Sequence, residues 1–274
     1  MKKKPGIGLI LIFIVVFGIF SFPRSPQKTQ EAQEAVKHRF EAQWLLEYLH
    51  PESGSRNPWK TLYLMYYRFP SPTFNYFIHI GSVFRDEKTD YIGIVGAAHD
   101  WTEWFYTYSA VAAGTKVEYL PEYRFDQDFN FKFLKDRSLI WTVGVTYIDY
   151  HLPANDLVIS SGFMKYLKKM IWEYRLFRNR SNPGNIVSFT HQWSIGYGEE
   201  KKNWTYFNGS YGSQAYLAMY VGIPEEVRQK AWNLSLLHRK WISKTLGFEI
   251  ELNYVNLKGG YKKYGIYSSV FLEL

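Results

Sequence analysis

Charged residues in this chain recur at every second position within apolar stretches, and that spacing limits the chemistry open to them. Between Glu122 and Phe133 one parity reads Glu122, Arg124, Asp126, Asp128, Asn130 and Lys132; the other reads Tyr123, Phe125, Gln127, Phe129, Phe131 and Phe133. Successive side chains of a strand point to opposite faces. Both signs of charge therefore share one face, and the rings share the other. Glu249 and Glu251 alternate in the same way with Leu246, Phe248, Ile250, Leu252 and Tyr254, and Glu173 and Arg175 form a third group. A face of mixed charge suits a network of ion pairs that fills a narrow interior, or a polar passage that selects a charged solute. Unpaired charge away from water is costly, so pairing is the expectation unless the interior is wet. These nine charged residues are the predicted lining of a lumen.

Covalent chemistry has little to build on. The chain lacks a Gly-x-Ser-x-Gly elbow, a phosphate loop and a His-Glu-x-x-His pair. Its histidines (His38, His50, His79, His99, His151, His191 and His238) show no metal-ligand spacing, so neither a metal nor a cofactor is expected. His191 is the one candidate for a hydrolase of the barrel-wall type, because it shares a face with Phe189 and Trp193. Ser194 has the opposite parity, so a local His191–Ser194 pair is not expected.

The elements that must position these residues are strands. Period two dominates from residue 38 onward, and convincing amphipathic helices are few. Turn signals such as Pro70-Ser71-Pro72, Lys135-Asp136-Arg137, Ser181-Asn182-Pro183-Gly184 and Lys258-Gly259-Gly260 separate the runs. The predicted strands are 38–49, 59–69, 74–85, 89–99, 103–113, 122–134, 138–150, 156–166, 168–179, 185–197, 202–212, 227–238, 241–256 and 261–273. That makes about 14, with 12 or 16 as neighbouring counts. Connections after strands 2, 4, 6, 8 and 12 read as very short, and those after 1, 5, 9 and 11 as longer. Alternation of short and long connections is the habit of membrane barrels, whose short turns face the periplasm.

Composition narrows the class. The 274 residues include no cysteine, 19% aromatic residues (Phe 20, Tyr 23, Trp 10) and 46% hydrophobic residues, with a mean hydropathy of −0.30. An aromatic load of this size excludes disorder. One long apolar run excludes a polytopic helical membrane protein. The absence of cysteine excludes a disulfide scaffold and a Cys-ligated zinc fold.

That apolar run, Ile7 to Phe20, follows Lys2-Lys3-Lys4 and precedes Ser21-Phe22-Pro23. Residues 1–26 read as a signal peptide or an uncleaved anchor, and 27–37 as a polar linker. The first 26 residues hold four of the 33 basic residues and no acidic one, leaving 29 against 25. The formal charge of +8 thus falls to +4 without them, and no clustered basic patch argues for nucleic acid.

Period two alone does not separate a membrane barrel from a soluble sandwich. The mixed-charge parity favours a watery or salt-bridged interior. Rings near strand ends (Trp59, Tyr67, Trp101, Trp104, Trp193, Tyr197 and Trp204) suit interfacial girdles on the lipid side. Val270, Leu272 and Leu274 alternate with Phe271 and Glu273 in a final strand like the C-terminal signal of outer-membrane barrels.

Several passages resemble the YaiO-like family of outer-membrane β-barrels: Asn57 to Leu64, Glu118 to Phe125, Asn208 to Ala215 and Gly222 to Glu226. The resemblance covers about residues 38–274. It implies an outer-membrane location and a barrel often found beside polysaccharide or envelope genes, and it brings no established catalytic residues. The combined expectation is an all-β, closed antiparallel transmembrane barrel. It would act without catalysis as a channel or accessory factor in envelope or polysaccharide export. Its partners would be outer-membrane lipid and glycan or envelope-export proteins. A barrel hydrolase or deacylase and a soluble periplasmic β-sandwich are the alternatives.

Overall fold

The computed structural model describes residues 36–51, 57–85, 88–117, 120–213, 230–258 and 260–274. The predicted signal segment, most of the polar linker and the connection 214–229 lie outside the described residues.

The described chain is all strand and turn. In order the strands are β1 (His38–Pro51), β2 (Trp59–Ser71), β3 (Phe74–Arg85), β4 (Lys88–Asp100), β5 (Phe105–Gly114), β6 (Pro121–Phe133), β7 (Leu139–Tyr150), β8 (Asn155–Leu167), β9 (Met170–Asn182), β10 (Ile186–Glu199), β11 (Asn203–Ser213), β12 (Lys230–Trp241), β13 (Leu246–Leu257) and β14 (Tyr261–Glu273). Each pairs antiparallel with its sequence neighbours, and β1 pairs with both β2 and β14, so the sheet closes. Closure removes the two-sheet alternative. It also satisfies every strand edge, which a sheet in hydrocarbon requires.

Strand lengths run from 10 to 14 residues, enough to cross a bilayer when tilted. Boundaries shift by up to five residues from the sequence reading. The largest shifts are at β12 and β13, where 242–245 form the turn and 227–229 lie outside the described residues.

The first described strand begins and the last one ends at the same end of the barrel, where Lys37 N–H donates to Leu274 C=O at 2.7 Å and Leu274 N–H donates to His38 C=O at 2.8 Å. We call this the terminal end and the opposite one the distal end. Connections at the terminal end are short throughout, from two residues (72–73 and 168–169) to five (134–138). The distal end carries the long ones, 52–58, 115–120 and 214–229. The connection after β9 is an exception to the sequence reading, at only three residues. Gly184 makes that turn possible, with a φ of 98° that a side chain disfavours.

Alternation within each strand sorts the residues. The outward parity is apolar and exposed: Phe125, Phe129 and Phe133 on β6; Val187, Phe189 and Tyr197 on β10; Ile250 and Leu252 on β13. Exposed rings and aliphatics all round a closed sheet are what lipid contact demands. Trp193, Tyr197, Trp101 and Trp104 lie on or beside this outer surface. Three members of the predicted girdle do not. Trp59 is fully buried on the inner face. Tyr67 stands inside against Phe77 and His79, and Trp204 stacks inside on Tyr206. Ring chemistry alone misplaced them: on β2 the inner parity is itself aromatic (Trp59, Tyr63, Tyr67), so side-chain type carries no facing signal.

Candidate functional site

The inner face of the barrel divides into layers. At the distal end Leu49, Trp59, Val83, Ile92, Ile148 and Val255 belong to one packed cluster fed by strands round most of the ring, and buried polar groups share that level: Arg85 lies 4.3 Å from the centre of the Trp59 ring, and Asp156 accepts from Tyr150 Oη at 2.8 Å and Asn179 Nδ2 at 3.2 Å. Lys263 and Glu47 are embedded at this level as an ion pair, neither accessible to water. At the terminal end a smaller cluster of Tyr106, Ile140, Met164, Ile171 and Tyr206 fills the side formed by β5, β7–β9 and β11. Ion pairs occupy the rest.

The first charged group lies on β1 and β12–β14. Arg39 Nη2 sits 2.7 Å from Glu41 and 3.3 Å from Glu249, and its Nη1 is 3.6 Å from Glu273. Arg239 Nε donates to Glu249 Oε1, and Tyr267 Oη donates to Glu249 Oε2 at 3.1 Å. Lys201, on the turn between β10 and β11, reaches inward to Glu273, which also accepts from Trp241 Nε1 at 3.0 Å. The Arg39 guanidinium lies 4.1 Å from the centre of the Phe271 ring. Two cations thus share Glu249, and every charge in the group has a partner.

The second group lies on β6–β9. Arg175 donates to both oxygens of Asp128, Nη1 to Oδ2 at 3.0 Å and Nη2 to Oδ1 at 2.5 Å. It also donates to Ser160 Oγ from Nε at 3.1 Å and Nη2 at 2.7 Å. Asp128 is on β6 and Arg175 on β9, so the guanidinium crosses β8 and β7. Glycine makes the crossing possible. A Cβ on Gly144 would stand 2.2 Å from Asp128 Oδ1 and 2.3 Å from Arg175 Nη2. Beside this pair Arg124 makes a two-armed contact with Asp126 at 2.7 and 2.8 Å, and Thr146 donates to Asp126 at 2.6 Å. Lys132 pairs with Asp100 at 3.0 Å. This wall is wetter than the first. Asp126 and Asp128 keep 20% and 23% of their side chains accessible, against 4% for Glu41 and Glu249.

The nine residues singled out in the sequence divide between these groups and the margins. Arg124, Asp126, Asp128, Lys132 and Arg175 meet on the wetter wall, and Glu249 sits at the centre of the drier one. Glu173 is half-buried near Arg175 and makes no hydrogen bond among the described residues. Glu251 is buried, and its Oε1 has no partner among them. Glu122 lies at the distal mouth, exposed, with its carboxylate 3.7 Å from His151 Nδ1. A register shift between Pro121 and Tyr123 takes it out of the ladder. Sequence reasoning missed Arg39, Glu41, Glu47, Arg239, Lys263 and Glu273. For Arg39 and Glu41 the signal was present, since they alternate with Phe40, Ala42 and Trp44 on β1.

His191 stands on the outer wall, as its parity requires, and its Nδ1 is 2.8 Å from Tyr174 Oη. Ser194 faces the other way and donates to Asn208 Oδ1 at 2.6 Å. No cluster of His, Cys, Asp and Glu able to hold a metal occurs among the described residues.

A family model described as "YaiO membrane beta barrel domain" matches residues 37–217. No curated protein matches the chain. Solved structures share the fold at low identity. "CymD monoaromatic hydrocarbon channel" is 8% identical, with a TM-score of 0.61 over 89% of this chain and 90% of that one. "Bacterial polysaccharide outer membrane secretin" is 8% identical, with a TM-score of 0.56 over 87% and 98%. Omp33 of Acinetobacter baumannii is 10% identical, with a TM-score of 0.54 over 87% and 99%.

Proposed function

Because the chain belongs to the YaiO membrane β-barrel family, an outer-membrane fold, we propose that it serves in that membrane as a closed, non-enzymatic barrel. In this reading it is an accessory factor for envelope or polysaccharide export, and the charges of its inner face rigidify the wall. One observation carries the reading. On the distal inner face Trp59, Val83, Val255, Glu47 and Lys263, drawn from β1, β2, β3, β13 and β14, are wholly excluded from water. A water-filled bore at that level would wet them. The paired state of Arg39, Arg175 and Arg239 supports the same reading, because cations spent on fixed carboxylates are not free to select a solute. The glycan part rests on the family resemblance. The non-enzymatic part is supported by His191, whose ring is engaged by Tyr174 instead of a nucleophile.

A channel is the second reading. It is favoured by the partial exposure of Asp126, Asp128 and Arg175 on the β6–β9 wall, and it requires the packed distal layer to move. Conductance across planar bilayers separates the two. The closed reading expects no steady current from the purified wild-type protein. A stable open state at low voltage would overturn it. Loss of the gene should lower the amount of polysaccharide at the cell surface, and an unchanged amount would remove the export role.

A further inference from the structure

The outer wall carries cations that the interior network does not use. Arg178 and Arg180 on β9 both face outward and are exposed, while Asn179 and Ser181 between and beside them face inward and are buried. They stand one alternation apart on the same face, roughly 7 Å from each other. Arg178 is flanked by Ile159 on β8 and Phe189 on β10, and Arg180 by Leu157 and Val187. Ile159, Phe189 and Val187 are themselves exposed on the apolar wall. The two arginines therefore sit at the distal edge of the lipid-facing band. Neither makes a hydrogen bond or ion pair among the described residues. An arginine placed there extends its guanidinium toward the headgroup layer and needs an anion in it. The same end of the wall also presents Lys60 on β2 and, beside His50, Lys262 on β14. At the terminal end Lys240 on β12 is exposed in the same way, but three other cations there are engaged by neighbours. Arg68 contacts His38 at 2.6 Å, Lys165 donates to Ser138 at 2.5 Å, and Lys202 pairs with Glu199 at 2.6 Å.

Connection lengths orient the barrel. Short turns at the terminal end place it on the periplasmic side, so the distal end meets the outer leaflet. We propose that Arg178 and Arg180 form a site for the phosphate of an outer-leaflet glycolipid, with Ile159 and Phe189 against its acyl chains. Two guanidinium forks match a phosphate's oxygens, which an ammonium pair does less well. The inference rests on the outer-membrane reading.

The test uses the full-length protein in mild detergent and native mass spectrometry. The probes are bisphosphorylated lipid A, the same lipid stripped of phosphate, and inorganic phosphate. The wild type should retain bisphosphorylated lipid A. The R178Q/R180Q variant should bind it about tenfold more weakly, and R178K/R180K should keep part of the affinity. Stripping the phosphates should cost the wild type a similar factor. Equal binding of the two lipids by the wild type would overturn the proposal. So would undiminished binding by R178Q/R180Q that still migrates as a folded barrel on unboiled gels. Displacement of the lipid by an equal concentration of inorganic phosphate would reassign the site to a free anion and also overturn it. Should R178Q/R180Q not fold, the comparison of the two lipids on wild type decides alone. Fractionation of the protein away from the outer membrane would instead sink the outer-membrane reading, a result independent of the binding measured in detergent.

Discussion

Arg175 grips Asp128 with both arms of its guanidinium across the bare backbone of Gly144. Three strand-to-strand steps separate the two residues around the ring, so the contact braces a patch of wall from β6 to β9. The groove is as necessary as the charges. Substituting Gly144 by alanine should push the ion pair apart and destabilise the folded barrel by about 1–3 kcal/mol. The loss is read as a lower temperature for conversion to the unfolded band on gels. Gly93→Ala is the matched control, since a Cβ there meets nothing within 4 Å. An equal loss in both variants would refute the groove.

The Arg175–Asp128 pair should show strong coupling. Arg175→Met and Asp128→Leu each leave one poorly hydrated charge behind, whereas the double variant removes both. A double-mutant cycle in unfolding free energy should give about 1–3 kcal/mol of interaction. Additive losses would mean that surrounding water already satisfies each partner.

Lys263 and Glu47 test the drier extreme. Lys263→Met leaves the Glu47 carboxylate buried without its cation, and should destabilise by about 3–5 kcal/mol. Combining it with Glu47→Leu should restore most of that, because two apolar side chains suit the layer around Trp59. Failure of the second change to rescue the first would show that the pair is not an isolated unit.

If the distal layer closes the barrel, thinning it should create a leak. Trp59→Ala combined with Tyr261→Ala removes two large inner rings that are almost wholly buried. The variant should show discrete current steps in planar bilayers and admit large antibiotics to cells that otherwise exclude them. A folded variant that stays silent in both assays would place the seal elsewhere.

His191→Phe and Tyr174→Phe should leave phospholipase and deacylase readings at the level of a buffer blank, as in the wild type, and shift stability by no more than about 0.5 kcal/mol. Hydrolysis by the wild type that disappears in His191→Phe would revive the enzyme reading.

Much of the architecture could be read from alternation. On β6, β10 and β13 the polar and apolar parities differ in kind, so facing follows directly. On β2 they do not, and ring chemistry points Trp59 and Tyr67 to the lipid side although both stand inside. The charged residues of β6 and β9 were legible as a set, but not their pairing. Arg175 could have been matched to several carboxylates, and the choice of Asp128 depends on Gly144 and Gly162, whose role as a groove appears only once four strands lie side by side. Glu273 illustrates a different limit. It alternates with Leu272 and Leu274, yet its partners Arg39 and Lys201 come from a distant strand and a distant turn, and no local pattern names them.

The seam between β1 and β14 sets an order of events. Leu274 hydrogen-bonds to His38 and Glu273 pairs with Arg39, so the ladder that closes the ring joins strands at opposite extremes of the described chain. No cylinder exists until the last strand has been delivered. Before that moment β1 and β14 are both open edges, free to pair with any strand they meet, and the entropy of joining such distant segments opposes the one contact that would protect them. Maturation of this protein is therefore a race between ring closure and mispairing. A catalyst that shelters those two edges would act on the step where the chain is most exposed.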